Sequence, residues 1–216
     1  MRFARVAKKD SQQLIVEGTD DRHVVWALCK QNGVDQTFSV EVSGGYTEIL
    51  SSIPVRLKQS DIIAIGLVLD ADQDISVRWD AIRHRLHQEG YNNIPAQPAK
   101  DGLIINTPDN QRKPRIGVWL MPNNQLPGMI EDFISYLIPN DDLLRPKVEE
   151  ALKNIEEQNL NRYSTAHRPK AFIHTWLAWQ TTPGRPMGQA ITARTLDGNA
   201  ELAQNFVEWM NRLFNP

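Results

Sequence analysis

The sequence predicts an α/β fold with a largely parallel sheet, and three observations carry that expectation. Between Leu14 and Glu89, short apolar runs alternate with helix-periodic segments three times over, the pattern of strand–helix units wound into a parallel sheet. The run Ile62-Ile63-Ala64-Ile65-Gly66-Leu67-Val68-Leu69 is almost wholly apolar and rich in branched residues, as a central strand covered on both faces must be. Beyond Pro122 the periodicity turns helical.

Taken in order, Leu14-Ile15-Val16 stops at Glu17-Gly18, and Val24, Val25, Ala27 and Leu28 then recur at helical spacing until Gly33. Phe38, Val40 and Val42 alternate as in a strand, Ser43-Gly44-Gly45 turns the chain, and 46–59 reads as a helix despite Pro54. The apolar run from Ile62 ends at Asp70, and a helix follows over 75–89, stopped by Gly90. Leu103-Ile104-Ile105 and Ile116-Gly117-Val118-Trp119-Leu120 read as two strands of an edge hairpin around a polar turn. Helices are expected over 129–137, 142–158, 171–179 and 201–214. Residues 1–122 thus form an α/β core, and 123–216 a helical C-terminal part packed on the same unit.

Composition narrows the function. The 216 residues are 41% hydrophobic and 23% charged with a formal net charge of -2, so affinity for nucleic acid must come from a local patch rather than the whole surface. Arg112, Lys113 and Arg115 form the best such cluster. One cysteine, Cys29, excludes an intrachain disulfide framework and a cysteine zinc ribbon, and its apolar helical setting predicts burial. His23, His84, His87, His167 and His174 lack zinc-ligand spacing. The tryptophans lie in apolar patterns and read mainly as packing. The N-terminus shows no apolar signal segment, and no later run approaches the ~20 residues of a membrane span. A cytoplasmic protein with no membrane partner is expected.

The acids fall where chemistry is expected. Ligands of wound α/β sheets collect at the carboxyl ends of the strands, and Glu17 and Asp70 each sit at such an end, with Asp72 and Asp74 on the following loop. Magnesium takes oxygen ligands from carboxylates, and alternating aspartates after a buried strand repel unless a cation or water relieves them. Read singly, Asp20 and Asp21 suit a helix N-terminus and Asp70, Asp72 and Asp74 a solvated turn.

The segments Leu14-Ile15-Val16-Glu17-Gly18 and Leu67-Val68-Leu69-Asp70-Ala71-Asp72-Gln73-Asp74 resemble the glutamate and aspartate motifs of the Toprim domain, a Rossmann-like fold shared by topoisomerases, bacterial primases, recombination mediators and the overcoming-lysogenisation-defect nucleases. Over nearly its full length the chain also resembles a bacterial group of stand-alone Toprim-related proteins, with Val118-Trp119-Leu120-Met121-Pro122 preceding Gly128-Met129-Ile130-Glu131-Asp132. The resemblance implies that Glu17 serves in proton transfer or metal binding and that Asp70 and Asp72, with Asp74, hold magnesium, for which manganese can substitute. Its nuclease branch implies a further acid at Asp21, a second metal at Glu131 and Asp132, and a catalytic lysine at Lys170.

Two cations would clamp the attacking and leaving oxygens of a displacement at phosphorus. A topoisomerase or primase needs additional domains for which the chain has no room, and no phosphate-binding Gly-x-x-x-x-Gly-Lys-Ser/Thr loop occurs, so an ATPase partner would be a separate chain. The expected activity is magnesium-dependent phosphodiester hydrolysis of DNA or RNA. The alternative is a non-catalytic Toprim module that binds nucleic acid or a protein partner, and the position of Glu131 and Asp132 relative to Asp70 discriminates the two.

Overall fold

A computed structural model describes residues 11–107 and 113–216; the N-terminal segment and Arg112 of the basic cluster lie outside the described residues. The five strands are β1 (Gln12–Val16), β2 (Ser39–Val42), β3 (Ala64–Asp70), β4 (Leu103–Ile105) and β5 (Arg115–Met121), in the spatial order β2-β1-β3-β5-β4. All pairings are parallel except β4 against β5. The helices are α1 (Thr19–Gln31), α2 (Tyr46–Arg56), α3 (Ile75–Gln88), α4 (Ile130–Ser135), α5 (Arg145–Glu157), α6 (Arg168–Ala178), α7 (Met187–Thr192) and α8 (Glu201–Phe214). The fold is α/β, with a mostly parallel sheet flanked by helices.

Alternation along the strands sorts the core into two layers. Ile15, Ile65, Leu67, Leu69, Ile116, Val118 and Leu120 face α2 and α3, where Ile49, Ile53, Trp79, Ile82 and Leu86 meet them. Leu14, Val16, Val68, Trp119 and Met121 face the other way, against apolar residues of α1 and of α4 to α8. The C-terminal helices therefore supply most of one face of the sheet, and the division at residue 122 is not a division of the core.

The long helix α8 lies close to the sheet because two strand positions carry no side chain. Gly66 and Gly117 are register partners on adjacent strands. A Cβ at Gly66 would come within 2.6 Å of Leu14 Cδ1 and 3.0 Å of Leu213 Cδ2, and one at Gly117 within 2.6 Å of Leu213 Cδ2. Trp209 anchors the same helix by donating its indole N–H to Leu103 O at 3.1 Å.

The structure departs from the expected elements at several places. The hairpin forms, but its second strand is internal, pairing in parallel with β3 along its whole length. The helix expected from Asp142 begins at Arg145, because the Asp142 carboxylate instead accepts the Arg145 N–H at 2.7 Å and the Trp176 indole N–H at 3.0 Å. Neither α7 nor the 3-10 turn Thr165–His167 was expected. The first is short, and it packs on α1 through Met187, Ala190, Ile191 and the bare Gly188, where a Cβ would strike His23 O at 2.6 Å.

The two described members of the basic cluster, Lys113 and Arg115, close helix ends. Lys113 Nζ donates to Glu89 O at 2.9 Å beyond α3, and Arg115 donates to Leu213 O at 3.0 Å in α8. Arg115 pairs with Ala64, the first residue of β3, and so lies at the opposite end of the sheet from Asp70. Cys29 is buried as expected, and burial pushes its thiol up to about 12. Trp26 and Trp179 are the exceptions to buried tryptophan, at 42% and 44% exposure. Among the described residues no helix is long and apolar enough to cross a membrane.

Overpacking at the seam between α8 and the sheet tests this account. Gly66→Ala and Gly117→Ala should each lower unfolding free energy by about 1–3 kcal/mol in urea titrations. Leu143→Ser, at a residue 85% exposed, should stay within about 0.5 kcal/mol of the parent.

Candidate functional site

The sheet has one topological switch at its carboxyl rim. From β1 the chain reaches β2 through α1 on one face, then returns past β1 to β3 through α2 on the other. The ends of β1 and β3 are thereby left adjacent with helices departing in opposite directions, where wound sheets open a crevice. Glu17 and Asp70 stand on its two sides. Glu17 Oε1 accepts the Asp70 N–H at 2.8 Å, so the carboxylate closes the ladder where backbone pairing stops.

Two further acids reach the crevice from helix starts. Asp21 is 6% exposed and its Oδ2 accepts the Gly18 N–H at 3.1 Å, so one carboxylate closes the start of α1 and faces the rim. A Cβ at Gly18 would lie 3.0 Å from that oxygen. Glu131 is 3% exposed and follows Ile130, whose N–H donates to Asp70 Oδ1 at 3.0 Å. That bond locks the first turn of α4 to the end of β3. Lys170 reaches in from α6 and donates to Glu131 Oε1 at 3.1 Å.

The electrostatics follow from the crowding. Burial pushes Asp70 up to about 8, helped by the charges of Asp21, Glu17 and Glu131, against the Ile130 hydrogen bond that lowers it. Asp21 rises to about 7, again chiefly through burial, with Glu17 and Glu131 adding to it. Burial also raises Glu17, outweighing hydrogen bonds from the Asp70 and Tyr46 backbone and the charge of Arg78. At Lys170 burial lowers the ammonium, but the hydrogen bond to Glu131 and the charges of Glu131, Asp70 and Asp20 prevail and the net shift is upward. Glu17, Asp21, Asp70 and Glu131 thus form one inner cluster, with Lys170 paired to Glu131 at its edge and the charge of Arg78 felt at Glu17.

The chain matches the family model of DUF3226, a protein of unknown function, over residues 11–215. It belongs to that family. No curated protein and no solved structure matches it.

Three other acids expected at the site of this DUF3226 chain, Asp72, Asp74 and Asp132, lie outside the inner cluster. Asp72 takes a left-handed backbone at φ 52°. It exchanges two hydrogen bonds with Gly128, from Asp72 N at 2.8 Å and from Gly128 N at 2.7 Å, which tie the loop after β3 to the loop before α4. Its carboxylate forms an ion pair with Arg78. Asp74 is the N-cap of α3, accepting from Ser76 N at 2.9 Å and Val77 N at 3.2 Å. Asp132 accepts the Met129 N–H at 2.9 Å as the cap of α4, and burial raises its carboxyl.

The structure therefore gathers Glu17, Asp21, Asp70, Glu131 and Lys170, and holds Asp72, Asp74 and Asp132 on other partners. Asp72, Asp74 and Asp132 line an adjoining groove of about 830 Å³ with Arg78, Gly128 and His167. Among the described residues, no three His, Cys, Asp or Glu side chains stand in a ready-made coordination shell. Sequence reasoning did not single out Arg78 or Tyr46, which belong to no motif; Arg78 sits in the first turns of a helix, six positions past Asp72, with nothing in its spacing to mark it.

Stability should depend on pH through the inner cluster. Asp21 and Asp70 hold protons more tightly when folded than at their ordinary 3.8, so their contribution is full below that value and is lost as pH rises through about 7 and about 8. Urea titrations without divalent cations, run from pH 5 to 9, should show a decline that Asp70→Asn makes shallower by an amount on the order of a few kcal/mol. An unchanged slope in Asp70→Asn would place the effect elsewhere.

Proposed function

We propose that the chain is a magnesium-dependent phosphodiester hydrolase acting on nucleic acid, with a Toprim-type centre at the β1/β3 crevice. One observation carries the reading: two buried carboxylates, Asp21 and Glu131, and two half-buried ones, Glu17 and Asp70, come together from four separate places in the chain, with Lys170 paired to Glu131, and burial and mutual repulsion hold Asp21 and Asp70 at about 7 and about 8. An excess of buried negative charge is costly unless something positive compensates it.

The donor set suits a hard cation, being all oxygen and free of cysteine and histidine. Glu17, Asp21, Asp70 and Glu131 would hold it, with Asp72 able to join if its carboxylate leaves Arg78. Once held there, it would supply positive charge against a phosphate and ease the ionisation of water. The chain's own groups perform the rest. Glu17, its carboxyl raised by burial, would take a proton from the attacking water as the new P–O bond forms. Lys170 keeps its positive charge near neutral pH and offsets charge on the leaving oxygen as the old P–O bond breaks. The Asp72–Gly128 bridge and the Ile130–Asp70 hydrogen bond fix α4, and with it Glu131, against the rim.

A second reading has its own support. Asp72 is paired with Arg78, Asp74 and Asp132 cap helices, and no coordination shell is preassembled among the described residues. These favour a non-catalytic Toprim module in which the acids serve nucleic-acid or protein binding. Of the two residues expected to discriminate, Glu131 lies with Asp70 and Asp132 does not.

Purified protein should nick plasmid DNA or cleave RNA with magnesium or manganese and lose that activity in EDTA. Asp70→Ala and Glu17→Gln should each reduce the rate by about a hundredfold or more, whereas Asp74→Ala should lower stability by about 1 kcal/mol while activity persists. Cleavage that survives in both Asp70→Ala and Glu17→Gln would mark a contaminant and remove the hydrolase reading. Magnesium should also raise the melting temperature more at pH 8 than at pH 5, where the cluster holds its protons.

A further inference from the structure

The groove beside the inner cluster is lined mainly by acids and apolar groups, and a phosphodiester entering it needs a cationic contact. Arg78 is the one Lys or Arg among the described residues that line it. Its guanidinium lies over the Tyr46 ring, 3.7 Å from the centroid, is paired with Asp72, and has its charge felt at Glu17. The stack on Tyr46 fixes the plane of the fork, and the ion pair determines where the charge is used.

The partners of that pair differ in freedom. The Asp72 backbone is clamped by two hydrogen bonds to Gly128, so its carboxylate changes direction only by side-chain rotation. The Arg78 guanidinium is held against the Tyr46 ring, so a change of partner turns on rotation of the Asp72 side chain. The Arg78 side chain is 23% exposed and that of Asp72 40%, and ion pairs so solvated contribute little net stability. A divalent cation at the rim would outcompete a monovalent guanidinium for Asp72, and a phosphate would in turn be the better acceptor for the released fork.

We propose that Arg78 exchanges partners during binding: in the free protein it holds Asp72, and when Asp72 turns to a divalent cation the guanidinium, still stacked on Tyr46, takes a phosphate of the nucleic-acid strand in the groove. The inference rests on the phosphodiesterase reading above. It makes Arg78 a strand-contacting residue that also restrains cation binding, and those two roles move in opposite directions when it is replaced.

The test titrates manganese by electron paramagnetic resonance. It also measures binding of a fluorescein-labelled single-stranded oligonucleotide by anisotropy, with calcium in place of magnesium. Arg78→Gln should bind manganese tighter by roughly threefold, having lost a competing charge. It should bind the strand weaker by roughly tenfold or more, with the salt-dependence slope reduced by about one.

Arg78→Lys should restore the manganese affinity and only part of the strand affinity, since an ammonium lacks the planar fork. Circular dichroism and melting curves check that both variants are folded; if Arg78→Gln is not, the split between the two affinities in Arg78→Lys decides the matter. Parallel weakening of both affinities, or no change in either, overturns the exchange while leaving the hydrolase reading intact. A parent protein that binds no manganese overturns both.

Discussion

Parallel strands that end side by side leave their last amides without ladder partners, and a buried amide must find an acceptor. At the β1/β3 crevice the acceptor is Glu17, reaching across to the Asp70 N–H. Much of the surrounding arrangement follows from that contact. It sets the first acid against the second, and the Asp70 carboxylate turns to the Ile130 N–H, bringing Glu131 to the same place. The same hydrogen bond that completes the sheet assembles the charge that makes its rim unusual.

Acidic residues here divide by what their local geometry asks of them. Asp74 and Asp132 each accept backbone N–H groups at the start of a helix, a role any short acidic side chain can fill. Asp21 does this as well, yet its helix begins at the crevice, so the same carboxylate is buried among others. Position in the fold, rather than residue type, separates a helix cap from a member of the cluster. Family membership in DUF3226 spans nearly the whole chain, which accords with a site whose parts come from both the sheet and the C-terminal helices.

The order and type of the main elements were legible in the sequence because their signals are local. The buried run ending at Asp70 is a strand by composition alone, and Gly18 and Gly90 mark turns by the residues around them. The positions of Glu17 and Asp70 followed from strand ends, and Glu131 and Lys170 came only through resemblance. Other features were illegible for physical reasons. The short helix α7 has too few residues for a periodic signal, and its place depends on Gly188 fitting beneath His23 O. The Asp142 carboxylate is held by Trp176, 34 residues away in sequence, and no window along the chain could reveal that. The diversion of Asp72 to Arg78 is likewise a matter of side-chain direction, which periodicity does not encode.

The Asp72–Gly128 bridge joins two loops more than fifty positions apart, and the cluster it braces draws on residues 17, 21, 70 and 131 with Lys170 beside them. Such a centre has no local precursor. Its contacts are high in contact order, each requiring closure of a long loop before any stabilisation is gained. The acidic rim therefore comes into being together with the global fold and disappears with it: a partly folded chain carries the acids but not their mutual field, and its carboxyls titrate as ordinary ones. The field at the rim is in this sense a property of the completed topology rather than of any segment that contributes to it.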